Sequence, residues 1–132
     1  MLNIKIRTTP IDLEKRITQA PRGARGKMAE EAAWYMVENK EKGLKRYPPK
    51  PPKSKYKRTY ILKEGWVFKN YGAKINIQNK VSYAPYVMGD ADQAWMHAGR
   101  WRKISMVLED TWKGMLAAAE RALKTYLREK GL

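Results

Sequence analysis

Apolar and polar residues alternate across residues 2–7 (LNIKIR), with Leu2, Ile4 and Ile6 on one side and Asn3, Lys5 and Arg7 on the other. A period of two predicts a half-buried strand. After Pro10 the period changes. In IDLEKRITQA, Ile11, Leu13 or Glu14, and Ile17 can share one helical face, and Pro21, Gly23 and Gly26 predict an interruption or a restart. The stretch KMAEEAAWYMVENKEKG is rich in strong helix formers, and Gly43 is placed to stop it. Met28, Ala32, Tyr35, Met36 and Asn39 form one stripe. Ala29, Ala33 and Val37 widen it until the helix around Trp34 is apolar nearly all round.

Period two returns in WVFKNYG and AKINIQNKVSYA, which read as two strands joined at Tyr71-Gly72, with Ile75, Ile77 and Asn79 on one face. From Arg102 onward, Ile104, Val107, Leu108, Trp112, Met115, Ala119, Leu123, Tyr126 and Leu127 recur every three or four residues. Glu109, Lys113, Glu120, Lys124 and Arg128 take the other side, so the pattern predicts an amphipathic helix of about seven turns ending near Gly131. The sum is an α+β fold: a small, mainly antiparallel sheet packed against a long C-terminal helix and an N-terminal helix. No internal repeat is present, and 132 residues suit a single domain spanning residues 1–132.

One segment belongs to neither pattern. Residues 47–58, YPPKPPKSKYKR, carry Pro48, Pro49, Pro51 and Pro52, which preclude helix and remove ladder donors. An extended, polyproline-like basic arm over about residues 44–58 is expected. Between Lys40 and Lys69 eleven lysines and arginines stand against Glu41 and Glu64, so this stretch supplies +9 of the chain's net +15. Charge so concentrated points to a polyanionic or acidic partner, with Lys50, Lys53, Lys55, Lys57 and Arg58 as the docking residues. Lys55, Tyr56, Lys57, Arg58 and Tyr60 also interleave rings with cations, as single-strand binders do.

Composition narrows the chemistry. Without cysteine there is no disulfide, thiolate nucleophile or cysteine-ligated zinc. No apolar run reaches the ~20 residues of a membrane span, and MLNIKIRTTP lacks the apolar core of a signal peptide, so no membrane partner is expected. The stretch VSYAPYVMGDADQAWMHAGRW, residues 81–101, gathers Tyr83, Tyr86, Trp95 and Trp101 with Asp90, Asp92 and the single histidine, His97. A lone imidazole excludes a two-histidine metal site, and MGDADQAW lacks the further oxygen ligands of a calcium loop. No catalytic, metal or cofactor-binding residue is assigned. A toxin-like ribonuclease using Tyr, Lys, Arg and one His is one alternative reading, and a nucleic-acid-binding protein using residues 45–58 is another.

Order and spacing add a resemblance. RTYILKEGW (residues 58–66), then KINIQN, then YAPYVMG, then His97 and Trp101 ahead of a final helix resemble the tail-component family of long-tailed bacteriophages, its tail-completion or neck proteins. Family members show an Arg-Thr-Gly-x-Leu-x-x-Ser-Trp-like segment, an Ile-x-Asn turn, and Tyr-Ala-x-Tyr-Val followed by glycine. Here Arg58, Thr59, Leu62 and Trp66, then Ile77 and Asn79, then Tyr83, Ala84, Tyr86, Val87 and Gly89 stand in those places; Tyr60 and Gly65 depart from the usual glycine and serine. The resemblance implies a structural virion protein, made in the host cytoplasm and placed at the head–tail junction. It implies a homo-oligomeric ring, often of six, between head-closure and tail-tube proteins and close to packaged DNA. Under it Trp66, Tyr83, Tyr86, Gly89 and Trp101 define the fold, with Tyr83, Tyr86 and Trp101 expected to be buried. Met88, Trp95, Met96 and His97 are then the candidates for the subunit boundary.

Overall fold

A computed structural model describes residues 4–7, 11–48, 61–71 and 74–132. Its sheet has three strands: β1 (Ile4–Arg7), β2 (Trp66–Tyr71) and β3 (Lys74–Asn79), in the order β1-β3-β2 and antiparallel throughout. Ile6 of β1 and Phe68 of β2 both stand in register with Ile77 on the central strand. Ile75, Ile77 and Asn79 are fully buried, so the alternation read from the sequence puts the right face inward.

Around the sheet lie α1 (Ile11–Gln19), α2 (Arg22–Glu38), the single turn α3 (Ile61–Glu64), the short α4 (Ala84–Met88) and the long α5 (Ile104–Glu129). The fold is α+β, as the sequence pattern implied. Two boundaries differ from expectation. Pro21, Gly23 and Gly26 do not break α2; Pro21 is its N-cap residue and the helix runs through both glycines. Proline is tolerated there because the first N–H groups of a helix have no intrahelical partner. At the other end α2 stops at Glu38 rather than near Gly43. The Asn39 side-chain oxygen accepts from the N–H groups of Glu41 and Lys42 at 3.1 and 2.9 Å, which diverts the chain into a turn. Gly43 lies inside that turn, where a Cβ would come within 2.6 Å of the Asn39 carbonyl oxygen.

The most extensive contact in the fold is α2 against α5. Both helices turn small residues to the seam: Ala24, Ala29, Ala32 and Ala33 from α2, and Ala118, Ala119 and Ala122 from α5, all buried. Two tyrosines show how close the helices come. Tyr35 of α2 lies across Gly114 of α5, where a Cβ would collide with the phenol ring. Reciprocally, Tyr126 of α5 lies across Gly23 of α2, where a Cβ would come within 2.7 Å of its hydroxyl oxygen. Each helix thus carries a glycine and a tyrosine 12 positions apart, and the pairs match only if the helices run antiparallel. Twelve residues of helix span about 18 Å, so two notches fix the register along the seam.

Leu13 and Ile17 of α1, Met28 and Met36 of α2, and Ile104, Val107 and Met115 of α5 complete one continuous core with the inner face of the sheet. Each such side chain contributes about 1.5–3 kcal/mol by burial. The buried stripe of α5 is Ile104, Val107, Thr111, Met115 and then Ala118, Ala119, Ala122 and Leu123. Thr111, not its neighbour Trp112, takes the inner position, because its hydroxyl is satisfied inside the helix by the Val107 carbonyl at 2.7 Å. Leu108 is half-buried at the margin of the core.

One bidentate ion pair ties α1 to α5: the Arg16 guanidinium donates to both carboxylate oxygens of Glu120, its Nη2 at 3.0 Å from Oε2. Those hydrogen bonds, with smaller help from Lys124, hold the Glu120 carboxyl below its ordinary value.

Two predictions follow from the packing. Gly114→Ala gains about 1 kcal/mol of helix propensity but meets the Tyr35 ring, and overpacking costs roughly 1–3 kcal/mol. The substitution should therefore destabilise the wild type and stabilise a Tyr35→Ala background, as read by denaturant melts of the four proteins. Equal effects in both backgrounds would remove the notch from the account. The second concerns acid. A carboxyl whose folded pKa is depressed adds stability that is present above its unfolded pKa and is lost as pH falls through the folded value. Glu120→Gln should thus lower stability at neutral pH, and the gap from wild type should close below the carboxylate range. A gap independent of pH would assign the loss to packing instead.

Candidate subunit-contact surface

The sequence predicts strand through residue 84, but β3 ends at Asn79 and the chain turns. Asn79 is buried and satisfied: its Nδ2 donates to the Leu62 carbonyl at 2.8 Å, and its Oδ1 accepts from the Val81 N–H at 2.9 Å. Gly65 lies against this amide; a Cβ there would collide with Asn79 Oδ1 and come within 2.7 Å of Val81 Cγ2. Gly65 and Asn79 together deliver the chain into α4.

Five residues of helix give α4 two distinct sides. Ala84, Pro85, Val87 and Met88 are buried. Tyr83 and Tyr86, three positions apart and so on one face, point out at 42% and 45% exposure. This corrects two expectations. Tyr83 and Tyr86 are not buried, and Met88, at 2% exposure, is core rather than a boundary residue, because it shares the inner face with Ala84 four positions earlier. Trp66 is core as expected, with its indole Nε1 enclosed and without a partner, and Trp101 is half-buried beside the Tyr47 ring in an edge-on contact with centroids 4.9 Å apart.

The loop from Gly89 to α5 is braced at several points. The Gly89 N–H donates to the Pro85 carbonyl at 2.9 Å, and a Cβ on Gly89 would press on that oxygen. Asp90 accepts from the Ser105 hydroxyl at 2.6 Å and from its N–H at 3.3 Å, placing a carboxylate on the first turn of α5 where the helix dipole favours it. Gln93 spans the loop, its Nε2 donating to the carbonyls of Val87 and Trp101 at 2.8 and 2.9 Å. The Ala94 N–H donates to the Tyr86 carbonyl at 2.7 Å, which brings the 3-10 turn Trp95–His97 alongside α4. Behind it, the Arg102 guanidinium donates to the carbonyls of Lys42 and Gly43 and to Asp110.

On this fastened loop Trp95 is 85% exposed and Met96 55%. Tyr83, Tyr86, Trp95 and Met96 form an outward apolar surface rooted in α4 and the 3-10 turn. His97 is half-buried beneath it, its Nδ1 enclosed without a hydrogen-bond partner. Burial, and secondarily the charge of Arg100, hold its pKa below the ordinary value, so the ring is neutral at neutral pH. Among the described residues no group of three histidine, aspartate or glutamate side chains could hold a metal ion. No described helix is long and apolar enough to cross a membrane. A hollow of about 550 Å³ along the outer seam of α2 and α5 is lined by Lys27, Glu31, Arg121 and Glu129, among others, whose charges are mixed in sign.

Of the residues singled out from sequence, the structure brings together Trp95, Met96 and His97 with Tyr83 and Tyr86. The basic-arm residues Lys50, Lys53, Lys55, Lys57 and Arg58 lie outside the described residues. Sequence reasoning missed the braces Gln93 and Arg102 and the role of Tyr47, since none lies on a periodic stripe. Compared with protein-family models, with curated proteins and with solved structures, the chain finds no match in any of the three.

Proposed function

We propose that this chain is a structural subunit of a bacteriophage head–tail connector or neck, a tail-completion protein that assembles as a ring with copies of itself. The observation that carries the reading is Trp95 with Met96: large apolar side chains held out to solvent by a loop that is itself firmly hydrogen-bonded. A mobile loop would let an exposed indole fold back onto its own surface. A braced one presents it at low entropic cost to a second surface, and tryptophan buried in that way is a typical energetic centre of an interface. The residues of the phage-tail resemblance support the same reading, because Tyr83, Tyr86 and Gly89 build this loop and its exposed face.

A ring needs a head-to-tail contact, in which the Trp95 surface of one subunit meets a different surface of the next. Neighbouring head-closure and tail-tube proteins would take the ring's two faces, with the basic arm docking on an acidic face or near packaged DNA. In this reading no residue performs catalysis, and the protein belongs to the virion.

Trp95→Ser combined with Met96→Ser tests it. Both side chains are exposed, so the double variant should remain folded, with a stability change within about 0.5 kcal/mol per site. Its assembly state should fall toward the 15.4 kDa monomer, and heads should no longer join tails in a complementation assay. Unchanged assembly and joining would remove this surface from the function; loss of folding would return both residues to the core.

A further inference from the structure

Three arginines converge at the root of the basic arm. Arg46, Arg100 and Arg102 line a cleft of about 190 Å³ whose remaining walls include Tyr47, Pro48 and Trp101. They come from two distant parts of the chain, the turn after α2 and the loop before α5. Their meeting is therefore a product of the fold and cannot be read from a run of charge.

The three differ in how far they are already engaged. Arg102 is committed from behind, its two terminal nitrogens holding the Lys42 and Gly43 carbonyls at 2.9 and 3.0 Å and Asp110 at 3.1 Å. Those bonds fix the orientation of the cleft wall. Arg46 holds the Glu41 carbonyl at 2.6 Å through one nitrogen. The Arg100 guanidinium makes no hydrogen bond or ion pair among the described residues, and the residue is exposed; only its backbone N–H is engaged, donating to the His97 carbonyl at 3.1 Å. Asp110 is the acidic side chain paired in this group. Three guanidiniums against one carboxylate leave a local excess of positive charge beside half-buried rings. Like charges lining one cleft repel one another, and an anion bound between them relieves that repulsion.

Guanidinium is the group best matched to phosphate oxygens, and an aromatic and proline wall suits a sugar or base edge. A single acidic side chain could satisfy one of the arginines. The chain immediately beyond Pro48, however, continues with Lys50, Lys53, Lys55, Lys57 and Arg58 and contains no acid in that run. A ligand whose negative charges repeat along its length fits that continuation better than an isolated carboxylate. We propose that the Arg46–Arg100–Arg102 cleft binds the phosphate backbone of a nucleic acid, with Arg102 as the fixed wall and Arg46 and Arg100 as the closing contacts. The site goes beyond the connector reading and stands without it.

The test uses the full chain and a fluorescein-labelled DNA duplex of about 20 base pairs, titrated by anisotropy over a series of salt concentrations. Replacing Arg46 and Arg100 with Gln removes two closing contacts, so the slope of log affinity against log salt should shrink by roughly 1.8 units. Affinity at about 0.1 M salt should fall at least tenfold. The same charge change at the far end of α5, Lys124→Gln with Arg128→Gln, should lower affinity less than about threefold. If the double variant does not fold, Arg100→Gln alone carries the test, because that side chain anchors nothing in the described structure; its slope should shrink by about 0.9. Failure of the wild type to bind the duplex at about 0.15 M salt would overturn the proposal, as would equal losses in the cleft and control variants. A labelled polyglutamate peptide whose binding is lost in the cleft variant, while DNA binding is not, would also overturn it and assign the cleft to an acidic protein face. Light scattering of the Arg46→Gln, Arg100→Gln protein separates this site from the contact surface: assembly should persist while duplex binding is lost.

Discussion

Close approach of α2 and α5 is the constraint on which the remainder of the fold depends. Alanine and glycine allow two helix backbones to come near each other, and such a seam gains from dispersion and exclusion of water rather than from large side chains. Small residues alone leave the axial position loose. Here Tyr35 over Gly114 and Tyr126 over Gly23 act as two pegs in two notches, and a shift by one helical turn would empty both. Glycine in a helix interior carries a cost of about 1 kcal/mol relative to alanine, and the Tyr35 contact gives Gly114, well inside α5, a reason to be glycine.

Both proposed sites are hung from that pair. Once α5 is set against α2, its first turn is fixed in space, and Asp90 fastens the preceding loop to Ser105. Arg102 reaches from the same end to the turn after α2. Gln93 and Ala94 then hold the loop to α4, which is itself placed by the Asn79 turn at the end of β3. Trp95 and Met96 and the cleft residues Arg100 and Arg102 all belong to this one stretch between α4 and α5, so the same braces orient both. The proposed assembly surface and the proposed phosphate site are thus mechanically linked though chemically unlike.

The periodic elements were legible because burial imposes its period on the sequence. Ile75, Ile77 and Asn79 announced the inner face of β3, and Val107, Met115 and Leu123 the inner face of α5. What periodicity cannot carry is the pairing of one element with another. Gly23 and Gly26 look like breakers until Tyr126 is seen lying on Gly23. Trp112 looks like the inner residue of α5 until the Thr111 hydroxyl is seen bonded to Val107 within the helix. The candidate site was half legible: Trp95, Met96 and His97 gather where the aromatic density pointed. Tyr83 and Tyr86 came out on the opposite side from expectation because α4 is helical, and residues three apart in a helix share a face. The arginine cleft left only a faint trace in Arg100 and Arg102 flanking Trp101, since Arg46 joins them through tertiary structure.

Self-association of the wild-type chain is the property that most directly separates an assembling subunit from an isolated basic domain. Light scattering of nuclease-treated protein, at low salt and again at about 0.5 M salt, measures it with nucleic-acid bridging removed and surface electrostatics screened. The account predicts a single species at a fixed multiple of 15.4 kDa that persists at high salt, because the contact centred on Trp95 is apolar. A plain 15.4 kDa monomer at both salts and at high protein concentration would contradict it.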